Sequence, residues 1–314
     1  MRNNVLYVVV PCYNEQEVLD ETSKRLKEKM SSLIESRMIS EKSRVLFVND
    51  GSKDKTWEII QDLNKKDKLF TGVTLSRNRG HQNALIAGLT TANKYADMTI
   101  SLDADLQDDI NAIDKMVEEY HNGYDVVYGV RSSRAKDTKF KKGTAEAFYK
   151  IMKKMGVDTV FNHADYRLLS KVALENVLKF TESNLFLRGI VPQVGFKSTK
   201  VEYERGERFA GESKYPLKKM LNFAIDGITS FSIKPLFLIL TLGIIFGVIG
   251  FVAFVTTLVL AYTIYISSIW AILSFITLMT GGIIACIGLV GIYVGKSYME
   301  TKHRPRFIIE KELD

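Results

Sequence analysis

A long segment without charged residues constrains this chain more than any other feature of its sequence. Residues 235–295 contain no Asp, Glu, Lys, Arg or His. As one helix this segment would extend roughly 90 Å, about three times the thickness of the hydrocarbon core of a bilayer. The segment therefore predicts two membrane-spanning helices, at about 235–262 and 268–295, joined by a tight turn.

Positive charges on both sides of this hairpin predict its orientation. They are Lys214, Lys218, Lys219 and Lys234 before it, and Lys296, Lys302, Arg304 and Arg306 after it. The connecting turn has no charge, so the positive-inside rule places both ends of the hairpin, and both termini, in the cytoplasm. Because the N-terminal residues enter a strand pattern at once, we expect no cleavable signal.

The chain divides into four parts on this basis, with the hairpin as the third. Residues 1–215 form a charged globular domain, and residues 296–314 form a cytoplasmic tail. Residues 216–234 have apolar side chains at helical spacing, which predicts an amphipathic helix in the membrane interface, with an ordinary core helix as the alternative. Cys12 and Cys286 lie in different parts, which argues against a disulfide framework or a zinc site.

The formal net charge of +7 indicates an anionic partner. Nucleic acid is one class of partner that a basic protein can bind. The predicted hairpin makes anionic lipid or a phosphorylated substrate the better explanation, because positive residues beside a membrane are attracted to its anionic surface. We therefore expect a lipid bilayer as a partner and no nucleic acid.

Short apolar runs alternate with helical patterns in the globular domain. The runs that predict strands are Val5–Val10, Val45–Val48, Thr71–Leu75, Met98–Ile100 and Asp125–Tyr128. This alternation predicts an α/β fold with a mostly parallel sheet and helices on both faces. The loops after the first four strands then open on one edge of the sheet, which is where ligands bind in such folds.

An acidic run follows the fourth predicted strand. Asp103 and Asp105 are two residues apart, so an extended backbone would point both side chains the same way. Two adjacent carboxylates repel each other unless a cation lies between them. Mg²⁺ or Mn²⁺ fits, and such an ion could also hold a diphosphate. The alternative is a solvated loop in which Asp108 caps the helix that follows.

The other loops at this edge carry candidates that each have an ordinary alternative. Tyr13 could stack on a flat ring such as a nucleobase, or it could be a packed surface tyrosine. Asp50 could bind a ligand, or it could be a turn residue that bonds its own backbone. Arg77 and Arg79 precede a helix N-terminus, where a bound anion would explain them. We expect His81 to pack or to hydrogen-bond rather than to bind a metal.

Four motifs in order carry a resemblance to a known family. They are Pro11-x-Tyr13-Asn14-Glu15, Asn49-Asp50-Gly51-Ser52, Ser76-Arg77-Asn78-x-Gly80 and Asp103-Ala104-Asp105-Leu106-Gln107-Asp108. Together they resemble family 2 glycosyltransferases, which have the GT-A (Rossmann-like) fold. More narrowly, the chain is similar to the bacterial polyisoprenyl-phosphate glycosyltransferases related to dolichol-phosphate mannose synthase. The membrane hairpin matches as well, so the resemblance covers nearly the whole chain.

The resemblance implies a donor site for a nucleotide sugar. Base and ribose would be held by Pro11, Tyr13, Glu15 and Asp50, in a site that also includes Asn14, Ser52, Arg77, Gly80, Asp103 and Ala104. Asp103, Asp105 and Gln107 are implied to meet the metal and the diphosphate. The chain departs from the more usual family pattern at Arg79, where Phe is common, and at His81-Gln82, where Lys-Glu or a similar pair is common.

The resemblance also implies residues for catalysis and for the acceptor. Asp165, in a segment similar to the family's Asp-Phe-Arg-Leu, would act with Asp105 and Arg131, either as a base or as an organiser of sugar and acceptor. From the residues alone, an ion pair between Asp165 and Arg167 or another arginine is the alternative. The acceptor phosphate would be held by Arg131, Arg134, Arg167, Arg208, Ser213 and Lys214. The basic loop 205–215 could equally be drawn to anionic lipid.

The function that the resemblance implies is a membrane-anchored, metal-dependent and inverting sugar transfer. The donor would be a UDP-sugar carrying a hexose or N-acetylhexosamine, glucose or GlcNAc first, and the acceptor would be undecaprenyl phosphate. The product would feed glycosylation of a cell-wall polymer or surface glycan. A phosphate monoester with a second pKa of about 6 is already anionic at pH 7, so positioning should matter more than proton transfer.

Two other functions remain as alternatives. A processive polysaccharide synthase is one, although two spans form no obvious polymer channel and the sequence has no Gln-x-x-Arg-Trp. A non-catalytic membrane subunit that senses nucleotide sugars is the other, and the presence of Asp103, Asp105 and Asp165 argues against it. The glycines of the two spans allow close contact of helices within or between chains, so we expect a homo-oligomer.

Overall fold

The structure is a computed structural model that describes residues 3–132, 163–182, 186–204, 206, 229, 234–263 and 269–313. Its strands are β1 (Leu6–Cys12), β2 (Arg44–Asn49), β3 (Phe70–Leu75), β4 (Met98–Ser101), β5 (Val126–Arg131), β6 (His163–Ser170), β7 (Ser198–Tyr203) and β8 (Ile309–Leu313). They form one sheet in the order β7-β5-β6-β4-β1-β2-β3-β8.

The first four helices alternate with the first five strands, as the sequence predicts. The helices of the described residues are α1 (Leu19–Glu35), α2 (Thr56–Lys66), α3 (His81–Ala92), α4 (Ala112–His121), α5 (Lys171–Leu178), α6 (Leu187–Gln193), α7 (Lys234–Thr263) and α8 (Ile269–Thr301). The apolar sides of α1, α2 and α4 pack on one face of the sheet. Helices α3, α5 and α6 pack on the other face, which confirms the predicted three-layer α/β fold.

The direction of the strands places the loops that matter. β1 is parallel to β2 and β4, β2 is parallel to β3, and β5 is parallel to β7. β6 lies between β4 and β5 and is antiparallel to both, so β4 and β5 run the same way. The first five strands therefore end at one edge of the sheet, as the sequence predicts, and β6 begins there.

The first strand continues past its predicted end at Val10, so Pro11 lies within it. β1 continues to Cys12, and Pro11 lies opposite Val48 of β2. On the other side, the pairing between β1 and β4 stops at Val9. A proline without an N–H is tolerated there because the strand has a neighbour on one side only.

The C-terminal half of the chain contains apolar helices and a returning strand. Among the described residues, Gly282–Thr301 of α8 is long and apolar enough to cross a membrane, and Lys234–Gly250 of α7 is a shorter apolar helix. After α8, strand β8 pairs antiparallel with β3 and completes the edge of the sheet. The segment predicted as a tail thus contains part of the sheet. The predicted interfacial helix at 216–234 lies almost wholly outside the described residues, and the boundaries of the four parts remain a prediction.

Candidate active site

Two neighbouring loops at the carboxyl edge of the sheet are joined by hydrogen bonds. The backbone N–H of Asn14 donates to Oγ of Ser52 at 3.0 Å, and Lys53 N–H donates to Oδ1 of Asn14 at 2.9 Å. Glu15 N–H donates to Oγ1 of Thr56 at 2.9 Å. Asn14 has a positive φ of 54°, which asparagine tolerates better than most residues. The loops after β1 and β2 therefore form one unit that presents Tyr13, whose side chain is exposed.

Asp50 organises the loop that follows β3. Its carboxylate is buried, and its two oxygens accept hydrogen bonds from the backbone N–H groups of Arg79 at 2.7 Å and Gly80 at 2.9 Å. Burial raises the pKa of Asp50, and these two hydrogen bonds oppose the rise. The carboxylate of Asp50 thus lies beside the start of α3, where the sequence predicts a bound anion. Its predicted contact with a nucleotide remains a prediction.

Gly51 allows the loops after β2 and β3 to come this close. Its φ is 63°, and a Cβ at this position would lie 2.6 Å from the carbonyl carbon of Arg77. A side chain would therefore strain the backbone and collide with the neighbouring loop. The spacing of the two loops depends on a residue without a side chain.

The acidic run after β4 has a regular alternation of burial. Leu102, Ala104, Leu106 and Asp108 are buried, whereas Asp103, Asp105 and Gln107 are partly exposed. The three candidate metal ligands therefore share the accessible side of the loop, as the two-residue spacing predicts. Thr22 of α1 holds the loop from behind, because its Oγ1 donates to the carbonyl oxygen of Ala104 at 2.9 Å.

The alternative interpretation of Asp108 as a helix cap is wrong. The N-cap position of α4 is Asn111, and the backbone N–H of Asn111 donates to the side chain of Asp109 at 2.9 Å. Asp108 instead points inward, where the hydroxyl of Tyr203 donates to its Oδ1 at 2.5 Å. The guanidinium of Arg131 lies 3.5 Å from the same oxygen. Asp108 anchors the loop, and in this structure Arg131 pairs with that anchor.

Asp103 lies among several other carboxylates. Desolvation by the surrounding protein, together with the charges of Asp108, Asp165 and Asp105, raises its pKa to about 6, and His81 opposes the rise. Nε2 of His81 lies 3.5 Å from Oδ1 of Asp103 and 3.8 Å from Oδ2 of Asp165. The side chain of Asp103 is nevertheless 39% exposed, so a cation can reach it from solvent.

Asp165 has the opposite electrostatic environment. Its carboxylate lies 2.6 Å from the guanidinium of Arg167 and 3.3 Å from that of Arg188. Burial alone would raise the pKa of Asp165, but the two arginines hold it well below its usual range. The ion pair with Arg167 that the sequence offered as an alternative is present. An ionised carboxylate held by two guanidiniums is a weak base.

Arg167 cannot contact a lipid phosphate directly in this structure. It is buried, and its terminal nitrogens bond to Asp165 and, at 3.2 Å, to the carbonyl oxygen of Leu187. The side chain of Arg167 points into the protein, so the structure does not support the predicted contact between Arg167 and the acceptor phosphate. Four other predicted acceptor residues, Arg134, Arg208, Ser213 and Lys214, lie outside the described residues.

The chain is similar to known proteins over nearly its whole length. A family model described as "Glycosyl transferase family 2" matches residues 7–178, which is more than half of the chain. This chain belongs to glycosyl transferase family 2. "Uncharacterized glycosyltransferase YkoT" of Bacillus subtilis (strain 168) is 47% identical over 310 residues, covering 98% of this chain and 92% of that protein. "Bactoprenol glucosyl transferase" of Shigella phage SfV is 37% identical over 313 residues, covering 97% of this chain and 98% of that protein.

Solved structures of other proteins also match this chain. Glucosyl-3-phosphoglycerate synthase from Mycobacterium tuberculosis, in complex with Mn²⁺, UDP-Glc and phosphoglyceric acid, is 14% identical with a TM-score of 0.47. The match covers 72% of this family 2 chain and 78% of that chain. Family membership makes the chain a glycosyltransferase with a GT-A-type α/β sheet. The site at the carboxyl edge of the sheet is the place where that chemistry is expected.

Sequence reasoning missed Arg188 and Tyr203 of this glycosyltransferase site, and it did not predict the contact that Gln82 makes. Arg188 at the start of α6 contacts Asp165, and its side chain is 30% exposed. Oε1 of Gln82 accepts a hydrogen bond from Leu187 N–H at 3.0 Å and so holds α6 against α3. Tyr203 bonds to Asp108. Each acts across a distance of 20 residues or more in sequence, and no local pattern marks it.

The accessible side of the acidic loop fits a metal that uses few protein ligands. The described residues contain no group of three His, Cys, Asp or Glu side chains that could hold an ion. Mg²⁺ often takes only one or two carboxylates and completes its shell with water and substrate phosphates. The carboxylates of Asp103 and Asp105 and the side-chain amide oxygen of Gln107 are hard donors of this kind. The family 2 site therefore suits Mg²⁺ or Mn²⁺ bound together with a diphosphate.

Proposed function

We propose that this glycosyltransferase transfers a hexose or N-acetylhexosamine from a UDP-sugar to undecaprenyl phosphate. Glucose and GlcNAc are the favoured sugars. The observation that carries the proposal is the grouping of the accessible carboxylates Asp103 and Asp105 with Tyr13 and the Asp165–Arg188 pair at one edge of the sheet. The relative named bactoprenol glucosyl transferase supports a polyprenyl-phosphate acceptor, because its match includes the apolar helices.

The proposal includes a divalent metal ion bound to the acidic loop after β4. Asp103 and Asp105, with Gln107, would hold Mg²⁺ or Mn²⁺. Such an ion neutralises charge on the departing diphosphate when it is bound. Burial, together with repulsion from neighbouring carboxylates, raises the pKa of Asp103, and a bound cation would oppose both effects. Tyr13, on the paired loops after β1 and β2, would stack on the base of the donor.

The acceptor needs no strong base. Its phosphate oxygen is anionic near neutral pH, and a single in-line displacement by that oxygen inverts the anomeric carbon. Asp165 is poorly suited to remove a proton, because Arg167 and Arg188 stabilise its ionised form. We assign Asp165 the role of an organiser that fixes Arg188 and His81 around the reacting sugar, so that catalysis rests on positioning and charge.

The returning strand β8 supports the predicted membrane topology. The chain enters α7 after the catalytic domain, and after α8 it re-joins the sheet of that domain through β3. A segment that leaves and returns to one side of a bilayer crosses it an even number of times. Two spans, with the catalytic domain and both termini in the cytoplasm, satisfy this condition. The glycines of α7 and α8 also favour assembly of several copies.

A transfer assay tests the proposed function. Purified protein is given radiolabelled UDP-sugars, undecaprenyl phosphate and Mn²⁺, with a panel of other nucleotide sugars in parallel. We expect a lipid-extractable product that carries one sugar. A growing polymer would instead favour a polysaccharide synthase, and retained UDP binding without turnover would favour a sensing subunit.

A further inference from the structure

Two arginines that differ in exposure share one carboxylate at the edge of the sheet. The guanidinium of Arg167 donates to Asp165 at 2.6 Å, and the side chain of Arg167 is only 3% exposed. Arg188 meets the two oxygens of the same carboxylate with Nε and a terminal nitrogen, each at 3.3 Å, and its side chain is 30% exposed. Arg167 is therefore the inner partner of Asp165, and Arg188 is the partner that a substrate can reach.

These three side chains together carry one net positive charge. Burial opposes ionisation of Asp165, but the two arginines hold its pKa well below its usual range, so the carboxylate is ionised at neutral pH. One negative charge then faces two positive charges. Such a cluster favours an anion, and the planar guanidinium matches the oxygens of a phosphate in two-point contacts.

A second partly exposed arginine lies near Arg188. Arg131 ends β5, which pairs with the start of β6 so that Val130 lies opposite His163. Burial and the positive charge of Arg188 both oppose the raised pKa of Arg131, which the carboxylate of Asp108 causes. The side chain of Arg131 is 25% exposed. Neighbouring like charges are stabilised when an anion binds beside them.

The backbone of Leu187 sets the position from which Arg188 extends. Leu187 is buried, and its N–H donates to Oε1 of Gln82 in the first turn of α3 at 3.0 Å. Its carbonyl oxygen accepts a hydrogen bond from a terminal nitrogen of Arg167 at 3.2 Å. The residue immediately before Arg188 is thus held through both of its backbone polar groups. The side chain of Gln82 therefore fixes the start of α6 beside α3.

We infer that Arg188 binds the phosphate of the lipid acceptor and that Gln82 positions Arg188 for this contact, which rests on the proposed function because that function supplies the acceptor. Arg188 thereby takes the role that the sequence predicts for Arg167, which is enclosed behind Asp165. The acceptor oxygen bonds to the anomeric carbon as the bond from that carbon to the diphosphate breaks, and UDP leaves with the electron pair of that bond.

The location of Arg188 separates its phosphate from that of the donor. Nε2 of His81 lies 3.5 Å from Asp103 and 3.8 Å from Asp165, so one imidazole separates the Asp165–Arg188 pair from the metal loop. The metal at that loop neutralises the diphosphate in the proposed function. An acceptor phosphate on Arg188 is then near the reacting sugar and apart from the leaving group, as displacement with inversion requires.

Removal of the charge of Arg188 tests the contact. In Arg188→Gln we expect KM for undecaprenyl phosphate to rise at least about ten-fold, the loss of a hydrogen bond to a charged group. KM for the UDP-sugar and the affinity for UDP with Mn²⁺ should stay near the wild-type values. Arg188→Lys keeps the charge without the two-point geometry, so its KM for the lipid should lie between the other two. Initial rates of the full chain in detergent, with each substrate varied, give both constants.

The positioning role is tested at Gln82. Gln82→Met removes the oxygen that accepts from Leu187 N–H, so KM for the lipid should rise, whereas Gln82→Glu keeps an acceptor oxygen and should leave it near the wild-type value. Adding Gln82→Met to Arg188→Gln should change KM little further, because the group that Gln82 positions is already gone. Gln193→Met alters an exposed glutamine at the other end of α6 and should leave both KM values unchanged.

Each part can fail separately. An unchanged KM for the lipid in Arg188→Gln, or a rise in KM for the donor that is as large, overturns the acceptor contact. Additive effects of Gln82→Met and Arg188→Gln, or a KM in Gln82→Glu as high as in Gln82→Met, overturn the role of Gln82. If Arg188→Gln does not bind UDP and so has not folded, Arg188→Lys carries the measurement. A wild type that forms no lipid-linked sugar overturns the proposed function, and the acceptor contact with it.

Discussion

Two carboxylates in this site differ because their neighbours differ. Asp103 lies among other carboxylates and has a pKa raised to about 6. Asp165 lies between two guanidiniums that hold its pKa far below the usual range. Opposite shifts within one site separate the roles of similar groups. Asp103 is suited to receive a cation, and Asp165 is suited to hold cationic side chains in place.

The metal role is tested at Asp105. Asp105→Asn keeps the shape of the side chain and removes its charge, so we expect turnover to fall at least about 100-fold. The measurement is the transfer rate at saturating Mn²⁺, with Asp62→Asn on the exposed surface of α2 as the control. A rate near that of the wild type would show that Asp105 does not hold the metal.

The raised pKa of Asp103 predicts a dependence of stability on pH. A carboxyl whose folded pKa lies above its unfolded pKa costs stability when both states are ionised, and this cost fades as the pH falls through the folded pKa. In metal-free protein, Asp103→Asn should therefore raise Tm by about 2–4 °C at pH 7.5, allowing for solvent screening. The gain should shrink below pH 6. Thermal unfolding with a chelator across this pH range is the measurement, and a constant gain would contradict the prediction.

At the scale of elements, the sequence predicts the first five strands because buried parallel strands are nearly continuous apolar runs. The same reasoning does not predict β6 and β7. β6 contains the charged residues Asp165 and Arg167, and in β7 exposed side chains are interspersed with buried ones. β8 reads Ile-Glu-Lys-Glu-Leu, a charged pattern typical of a protected edge. The acidic run was predicted from its local spacing, whereas Arg188 and Tyr203 depend on contacts that only the fold creates.

The contact between the loops after β2 and β3 can be tested with a matched pair of glycines. Gly51→Ala introduces both a strained φ of 63° and a collision with Arg77, so it should destabilise the domain by more than about 1–2 kcal/mol. Gly123 has a φ of 86° but open space around it, so Gly123→Ala carries the backbone strain alone. Chemical denaturation of both variants gives the difference. Equal losses would mean that the close approach of the loops contributes nothing.

At the scale of the whole molecule, the position of β8 gives a test of topology. In a Cys286→Ser background, which leaves only the buried Cys12, single cysteines are placed at Glu310 and at Ser267. Glu310 is exposed on β8, and Ser267 belongs to the predicted turn between the spans. A membrane-impermeant maleimide applied to intact cells should label Ser267→Cys, and it should label Glu310→Cys only after permeabilisation. Labelling of both from outside would exclude the hairpin.

Strand β8 also sets an order of events during synthesis. It follows both α7 and α8 in the chain, yet it covers the edge of β3, which emerges from the ribosome far earlier. The outer edge of β3 therefore stays unpaired until both apolar helices have been synthesised. A chain that ends within the apolar helices therefore carries an unfinished sheet.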